Sequence, residues 1–279
     1  MSTIFSAYDQ TPEMLEQRIT RVMESPFEGS ARQGMLIKLL GMLDLTTLEG
    51  SDTSEKVAQL CRTARFSALD AAFPDAAAIC VYPLLVRTAR KELAGSGIHL
   101  ASVAGGFPAG QTSLRVKLDE IHFAISEGAD EIDTVISRGK LIEGNYTEVF
   151  DELSAIREAC GHARLKVILE TGELPTLQLI RKASEISVIA GADFIKTSTG
   201  KIATGATPAA FMVMLDTIRE YLEKTGKTVG IKAAGGVRTP TQAIGYARLF
   251  LNELGKPLFR PDFFRIGASS LAGEIINSL

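Results

Sequence analysis

Ala192-Asp193-Phe194-Ile195-Lys196-Thr197-Ser198-Thr199-Gly200 and Thr228-Val229-Gly230-Ile231-Lys232-Ala233-Ala234-Gly235-Gly236 each place a lysine near the C-terminal end of a short apolar run, and the two lysines are 36 residues apart. That spacing fits one strand, one helix and the next parallel strand, and residues 208–224 between the runs carry a helical apolar pattern. The two ammonium groups are therefore expected in one pocket. Two close cations are costly, and their obvious use is an amine kept partly neutral so that it attacks a carbonyl.

The same unit recurs along the chain. Strand candidates are 39–45, 78–82, 99–103, 131–136, 165–169, 194–197, 229–233 and 264–266, with helical stretches near 52–69, 83–94, 111–128, 146–160, 175–190, 208–224, 240–254 and from about 270. Eight units with short, all-apolar strands predict an α/β fold, a (β/α)8 TIM barrel, because strands buried on both faces lose the apolar/polar alternation. An open doubly wound sheet competes, but no Gly-x-Gly-x-x-Gly turn follows the first strand. Gly-Ala-Asp at 128–130 and 191–193 precedes the fourth and sixth strands, a weak echo of the repeat. An additional N-terminal helix spans Thr11 to about Glu24, before a break at Pro26-Phe27-Glu28-Gly29-Ser30. The expected organisation is an N-terminal helical extension, 1–35, on the outside or at a subunit contact, and a barrel catalytic domain, 36–279. A homodimer is compatible with that extension.

Composition narrows the function. A chain of 279 residues suffices for one large core, and no linker divides it. Thirty basic against 33 acidic residues argue against duplex nucleic acid as the main partner, yet leave room for a local cationic phosphate pocket. Cys61, Cys80 and Cys160 form no spaced pair, so a reducing cytoplasm is expected. Neither an export signal nor a membrane span is visible. His99, His122 and His162 show no two-ligand spacing, so no metal is expected.

In such a barrel the working face is the C-terminal mouth. Polar residues late in strands are Asp44, Asp133, Glu170, Lys196 and Lys232. Only a neutral amine attacks a carbonyl, and lowering a lysine pKa from about 10.4 to about 7 needs roughly 4 to 5 kcal/mol against the charged form. A second ammonium and partial desolvation are of that size. Each lysine would depress the other, so electrostatics leaves open which one attacks. Lys166 begins the fifth strand and is expected toward the opposite, stability face, whereas Lys201 lies at the end where substrate charge arrives. Asp133, in mid-strand, is the leading candidate for a proton shuttle, Asp44 the next, and Glu170 is read as a loop-orienting residue. Cys80 is either a pocket wall or a small hydrophobe. Gly235-Gly236-Val237-Arg238 and Gly267-Ala268-Ser269-Ser270 follow strands seven and eight, the usual phosphate position on this fold. Arg238 either meets the phosphate or caps the surface.

These motifs resemble those of the deoxyribose-phosphate aldolases, class I aldolases built as β/α barrels. The resemblance runs from about Leu39 to Leu271 and rests on Leu43-Asp44-Leu45-Thr46-Thr47-Leu48, Gly128-Ala129-Asp130-Glu131-Ile132-Asp133, residues 166–174, Ile195-Lys196-Thr197-Ser198-Thr199-Gly200 and residues 232–238. It implies that Lys196 forms the Schiff base, that Lys232 perturbs it and that Asp133 is the acid-base residue. It also implies Asp44 and Thr46 as substrate-binding residues, with phosphate held around Gly200, Lys201, Gly235, Gly236, Ser269 and Ser270. The implied reaction, without a cofactor, is reversible cleavage of 2-deoxy-D-ribose 5-phosphate to acetaldehyde and D-glyceraldehyde 3-phosphate. Two departures stand out. Some members end in a mobile tail with a tyrosine that assists proton transfer, and no tyrosine follows Tyr246 here. The third loop reads Ala104-Gly105-Gly106-Phe107-Pro108, where relatives often carry bulkier polar residues. The competing readings are a Schiff-base aldolase for another phosphorylated sugar or keto acid, and a non-catalytic sugar-phosphate-binding barrel.

Overall fold

Helices on this chain start from chemical signals already present in the loops before them. Thr53, Thr176, Thr207 and Thr239 each accept the backbone N–H three residues on, and proline follows at Pro208 and Pro240. In the computed structural model, which describes residues 4–279, the elements run α1 (Pro12–Glu24), α2 (Gly29–Leu40), β1 (Leu43–Thr46), α3 (Ser54–Thr63), β2 (Ala78–Val81), α4 (Val86–Glu92), β3 (His99–Ala104) and α5 (Leu114–Ser126). They continue with β4 (Glu131–Val135), α6 (Arg138–Ile142), α7 (Tyr146–Cys160), β5 (Arg164–Ile168), α8 (Leu177–Ile189), β6 (Phe194–Lys196), α9 (Pro208–Thr225), β7 (Gly230–Ala234), α10 (Pro240–Leu254), β8 (Phe264–Ala268) and α11 (Leu271–Ile276). The eight strands close in sequence order, all parallel, with β8 returning to β1.

Two local expectations need correction. Residues 39 and 40 are not strand: Leu36, Leu39 and Leu40 fall at helical spacing, are buried on the inner face of α2, and the helix stops at Gly41. The N-terminal region accordingly holds two helices rather than one, and position 35 lies inside the second. The first three residues of the 1–35 segment lie outside the described residues. The short α6, on the loop after β4, was not expected either.

The main apolar core lies between the sheet and the helices, and a second small cluster of Leu48, Cys80, Ala101 and Val103, with Tyr82 and Phe107 against it, is separate from it. Outside the barrel, α1 rests on α9 and α10. Arg18 reaches Asp216 at 2.7 Å and Glu253 at 3.0 Å, and Arg248 donates to the Met23 and Ser25 carbonyls at the end of α1. Among the described residues no helix is long and apolar enough to cross a membrane.

Candidate active site

Six side chains from five strands meet inside the barrel as a closed loop of alternating charge. Asp133 Oδ1 accepts from Lys166 at 2.7 Å, and Lys166 lies 2.6 Å from Glu131. Glu131 accepts from Arg265 at 3.1 Å, and Arg265 donates to Asp44 Oδ1 at 2.6 Å. Asp44 Oδ2 is 2.6 Å from Lys232, which donates to Asp133 Oδ2 at 2.9 Å and completes the circuit. Each of the six is buried, and each touches at least two opposite charges. The ring is electrically neutral by itself. Close packing is possible because β8 carries Gly267, where a Cβ would come within 3.1 Å of Lys232 Cε.

Lys196 is the seventh group. It is the register partner of Lys232 on the adjacent strand and donates to Asp133 Oδ2 at 2.8 Å, its one carboxylate partner among the described residues, which it shares with Lys232. Burial therefore dominates its titration: loss of water disfavours the ammonium, the Lys232 charge adds to this, and Asp133 offsets only part, so the Lys196 pKa is lowered. Lys232 experiences the same burial, but Asp133 and Asp44 outweigh it and raise its pKa. Lys166 is raised too, by Asp133 and Glu131 against burial. Burial opposes the Asp133 carboxylate, yet Lys166, Lys196 and Lys232 hold it well below the usual range. The sequence left the two lysines equivalent, and the position of Asp44 beside Lys232 removes that equivalence.

Beside the ring opens a cavity of about 1010 Å³ whose wall includes Lys196, while Lys232, Asp133 and Asp44 are fully buried and do not line it. Thr46, Gly200, Lys201, Gly235, Gly236, Ser269 and Ser270 all line this cavity, and Arg238 does so as well. The glycines and serines after β7 and β8 thus face the same space as the amine. Asp44 sits two residues before Thr46 but is wholly buried between Lys232 and Arg265. Lys201 reaches across the mouth to Glu49 at 2.8 Å. Burial pushes the Cys80 thiol up to about 11, with Asp133 adding to the shift, so it behaves as a buried small side chain. Gly105 and Gly106 both have φ of 77°, and a Cβ on Gly105 would strike Thr134 Oγ1 at 2.3 Å. The third loop is glycine-rich because its path demands it.

Lys166 is a correction. It was expected on the far face, yet its amine binds Asp133 directly. The strand starts at Arg164, opposite the Glu131 that starts β4, so Lys166 is the middle residue of β5 and the register partner of Asp133, the middle residue of β4. Arg265 and Glu131 were not singled out at all. A cation inside Phe263-Phe264-Arg265-Ile266 and an acid two residues before Asp133 on the same strand face were the available signals. Among the described residues no group of three or more His, Cys, Asp or Glu side chains is arranged to hold a metal ion.

The profile of the DeoC/LacD family of aldolases matches residues 38–255. The deoxyribose-phosphate aldolase of Mus musculus is 46% identical over 251 residues, covering 86% of this chain and 79% of that protein. The deoxyribose-phosphate aldolase of Homo sapiens is 45% identical over the same length. Among solved structures, the tetrameric deoxyribose phosphate aldolase from Aeropyrum pernix superposes with a TM-score of 0.68 at 27% identity, covering 96% of this chain and 98% of that one.

Proposed function

The chain belongs to the DeoC/LacD family of aldolases, and we propose that it cleaves 2-deoxy-D-ribose 5-phosphate reversibly to acetaldehyde and D-glyceraldehyde 3-phosphate through a Schiff base on Lys196. The observation that carries this reading is the charge arithmetic of the barrel interior. Six groups neutralise one another, and the seventh is a buried amine with one shared carboxylate and a cavity before it. Burial and the Lys232 charge disfavour its ammonium form relative to an ordinary lysine, which favours the neutral amine that acts as nucleophile.

Attack on the aldehyde carbon of the open-chain sugar forms a carbinolamine, and loss of water leaves an iminium. The positive charge then returns to the Lys196 nitrogen, next to the Asp133 carboxylate. That carboxylate stabilises the iminium electrostatically without having to move. Breaking the C2–C3 bond sends its electron pair toward the iminium nitrogen, while the C3 hydroxyl loses its proton and becomes the aldehyde of glyceraldehyde 3-phosphate. The remaining enamine is protonated at C2, and hydrolysis frees acetaldehyde and the amine. Asp133 with a bound water is the proposed carrier of these protons. Because Asp133 is held ionised, it accepts a proton only transiently. Lys232, kept charged by Asp44 and Asp133, opposes protonation of Lys196. Asp44 acts through Lys232, whereas Thr46 faces substrate. The phosphate is assigned to Gly200, Lys201, Gly235, Gly236, Ser269 and Ser270, where backbone N–H groups and hydroxyls converge.

The proposed working unit is the 36–279 barrel with 1–35 as its extension, acting in the cytoplasm as a homodimer. Sedimentation of the purified chain decides the last point. For the reaction itself, the chain is incubated with acetaldehyde, reduced with borohydride and mapped by mass spectrometry. The adduct belongs on Lys196, and binding of deoxyribose 5-phosphate with no adduct there would favour a sugar-phosphate-binding barrel instead.

A further inference from the structure

Glu170 lies just past β5 at the mouth, is wholly buried, and among the described residues is the one non-glycine position with positive φ, at 51°. A left-handed backbone costs such a residue on the order of 1 kcal/mol. Its side chain has compensating partners. Glu170 Oε1 accepts the Thr199 N–H at 3.1 Å, and Oε2 accepts both the Thr199 hydroxyl and Arg138 Nη1, the latter at 3.3 Å. Arg138 in turn donates to the Ala109 carbonyl at 3.0 Å. One carboxylate therefore ties together the loops after β3, β4, β5 and β6.

The last of these loops is the cavity wall. Thr199 and Lys201 both line the mouth, and Thr199 Oγ1 accepts the Lys201 N–H at 3.0 Å. A hydroxyl has one hydrogen and two lone pairs. Here the hydrogen goes to a carboxylate, which only accepts, and one lone pair goes to Lys201. A single acceptor site is left for any ligand.

We propose that Glu170 is a positioning residue that fixes the Thr199–Lys201 wall and makes the Thr199 hydroxyl an obligate acceptor, so that Thr199 Oγ1 takes a sugar hydroxyl and leaves the phosphate oxygens to the neighbouring Gly200 and Lys201. The proposal rests on the aldol-cleavage reading of the same cavity. It orients the substrate by polarity: a sugar hydroxyl has a hydrogen to give, whereas an ionised phosphate oxygen has none. Exchanging Glu170 for glutamine reverses the arrangement. If the amide oxygen keeps the Thr199 N–H, the amide NH2 must donate to Oγ1 and meets the Arg138 donor, and the Thr199 hydrogen is released.

The test pairs two variants with two substrates. Glu170→Gln and Thr199→Val should each raise KM for deoxyribose 5-phosphate about tenfold or more, and this loss should exceed by at least fivefold any loss in borohydride trapping of acetaldehyde, which has no hydroxyl. Equal losses on both substrates, or an unchanged KM, would overturn the proposal. Amide hydrogen exchange of the Glu170→Ala chain reads positioning without turnover: the Thr199 and Lys201 amides should lose protection, and retained protection also overturns it. A wild-type chain that traps no acetaldehyde on Lys196 defeats the aldolase reading and the selectivity built on it, and that result is visible before any variant is made.

Discussion

Two dense clusters of charge sit in this molecule, one inside the barrel and one in the seam where α1 meets α9 and α10. In the seam, Arg18 and Arg219 face Asp216 and Glu253, two cations against two anions, with the arginine side chains 26% and 40% exposed. Inside the barrel, Lys166, Lys196, Lys232 and Arg265 face Asp44, Glu131 and Asp133, four cations against three anions, all almost fully buried. The seam is balanced and leans on water. The interior, with every lysine charged, is one anion short, is almost fully buried, and places the surplus amine on the wall of a cavity. Density of charge thus says little about function, while imbalance at low dielectric, next to open space, says a great deal.

The largest expected effect removes the surplus itself. Lys196→Ala leaves the six-membered ring intact, so the chain should fold normally while turnover of deoxyribose 5-phosphate falls by about 10⁴-fold or more. Near-wild-type turnover would show that the interior imbalance is unrelated to catalysis. Next is the ring. Asp44→Asn strips Lys232 of one of its two carboxylates and leaves buried charge uncompensated, with an expected loss of about 3 to 5 kcal/mol in denaturant unfolding. It should also cut kcat/KM, since Lys232 would then draw more on Asp133.

A third effect separates activity from stability within the barrel cluster by pH. The Lys196 pKa is lowered, so kcat/KM should rise with pH up to that value and level off above it, with a slope of tenfold per unit on the acid side. Stability follows a different limb. Asp44 and Asp133 have folded pKa values below their unfolded ones, so their stabilisation is present in full above about pH 4 and is lost as pH falls through the folded values. Activity should therefore fail at a higher pH than the fold does. Superimposable activity and unfolding profiles would contradict this. The smallest effect belongs to the seam: Arg18→Ala should cost about 1 kcal/mol by thermal unfolding, and kcat/KM should not move.

Much of this was legible before any coordinates. All eight strands lie within a few residues of their expected positions apart from the start of the first, where an apolar run at helical spacing imitates a strand. The lysine pair, Asp133 and the glycine-serine loops after β7 and β8 were readable because strand order fixes which ends share a mouth. The register of β5 against β4, with the strand starting at Arg164, was not readable, and it is what brings Lys166 to Asp133. Arg265 stayed hidden because one cation in an apolar run reads equally well as a side chain reaching for solvent. The inequality of Lys196 and Lys232 depends on Asp44 from β1 meeting Lys232 from β7, a contact that local pattern does not encode.

That inequality is the central claim, and ¹⁵N-detected titration of the lysine side-chain amines tests it most directly. Lys196 Nζ should lose its proton below the ordinary lysine value of about 10.4, while Lys166 and Lys232 remain ammonium through that range. A Lys196 that titrates at or above the ordinary value, or together with Lys232, would contradict the account.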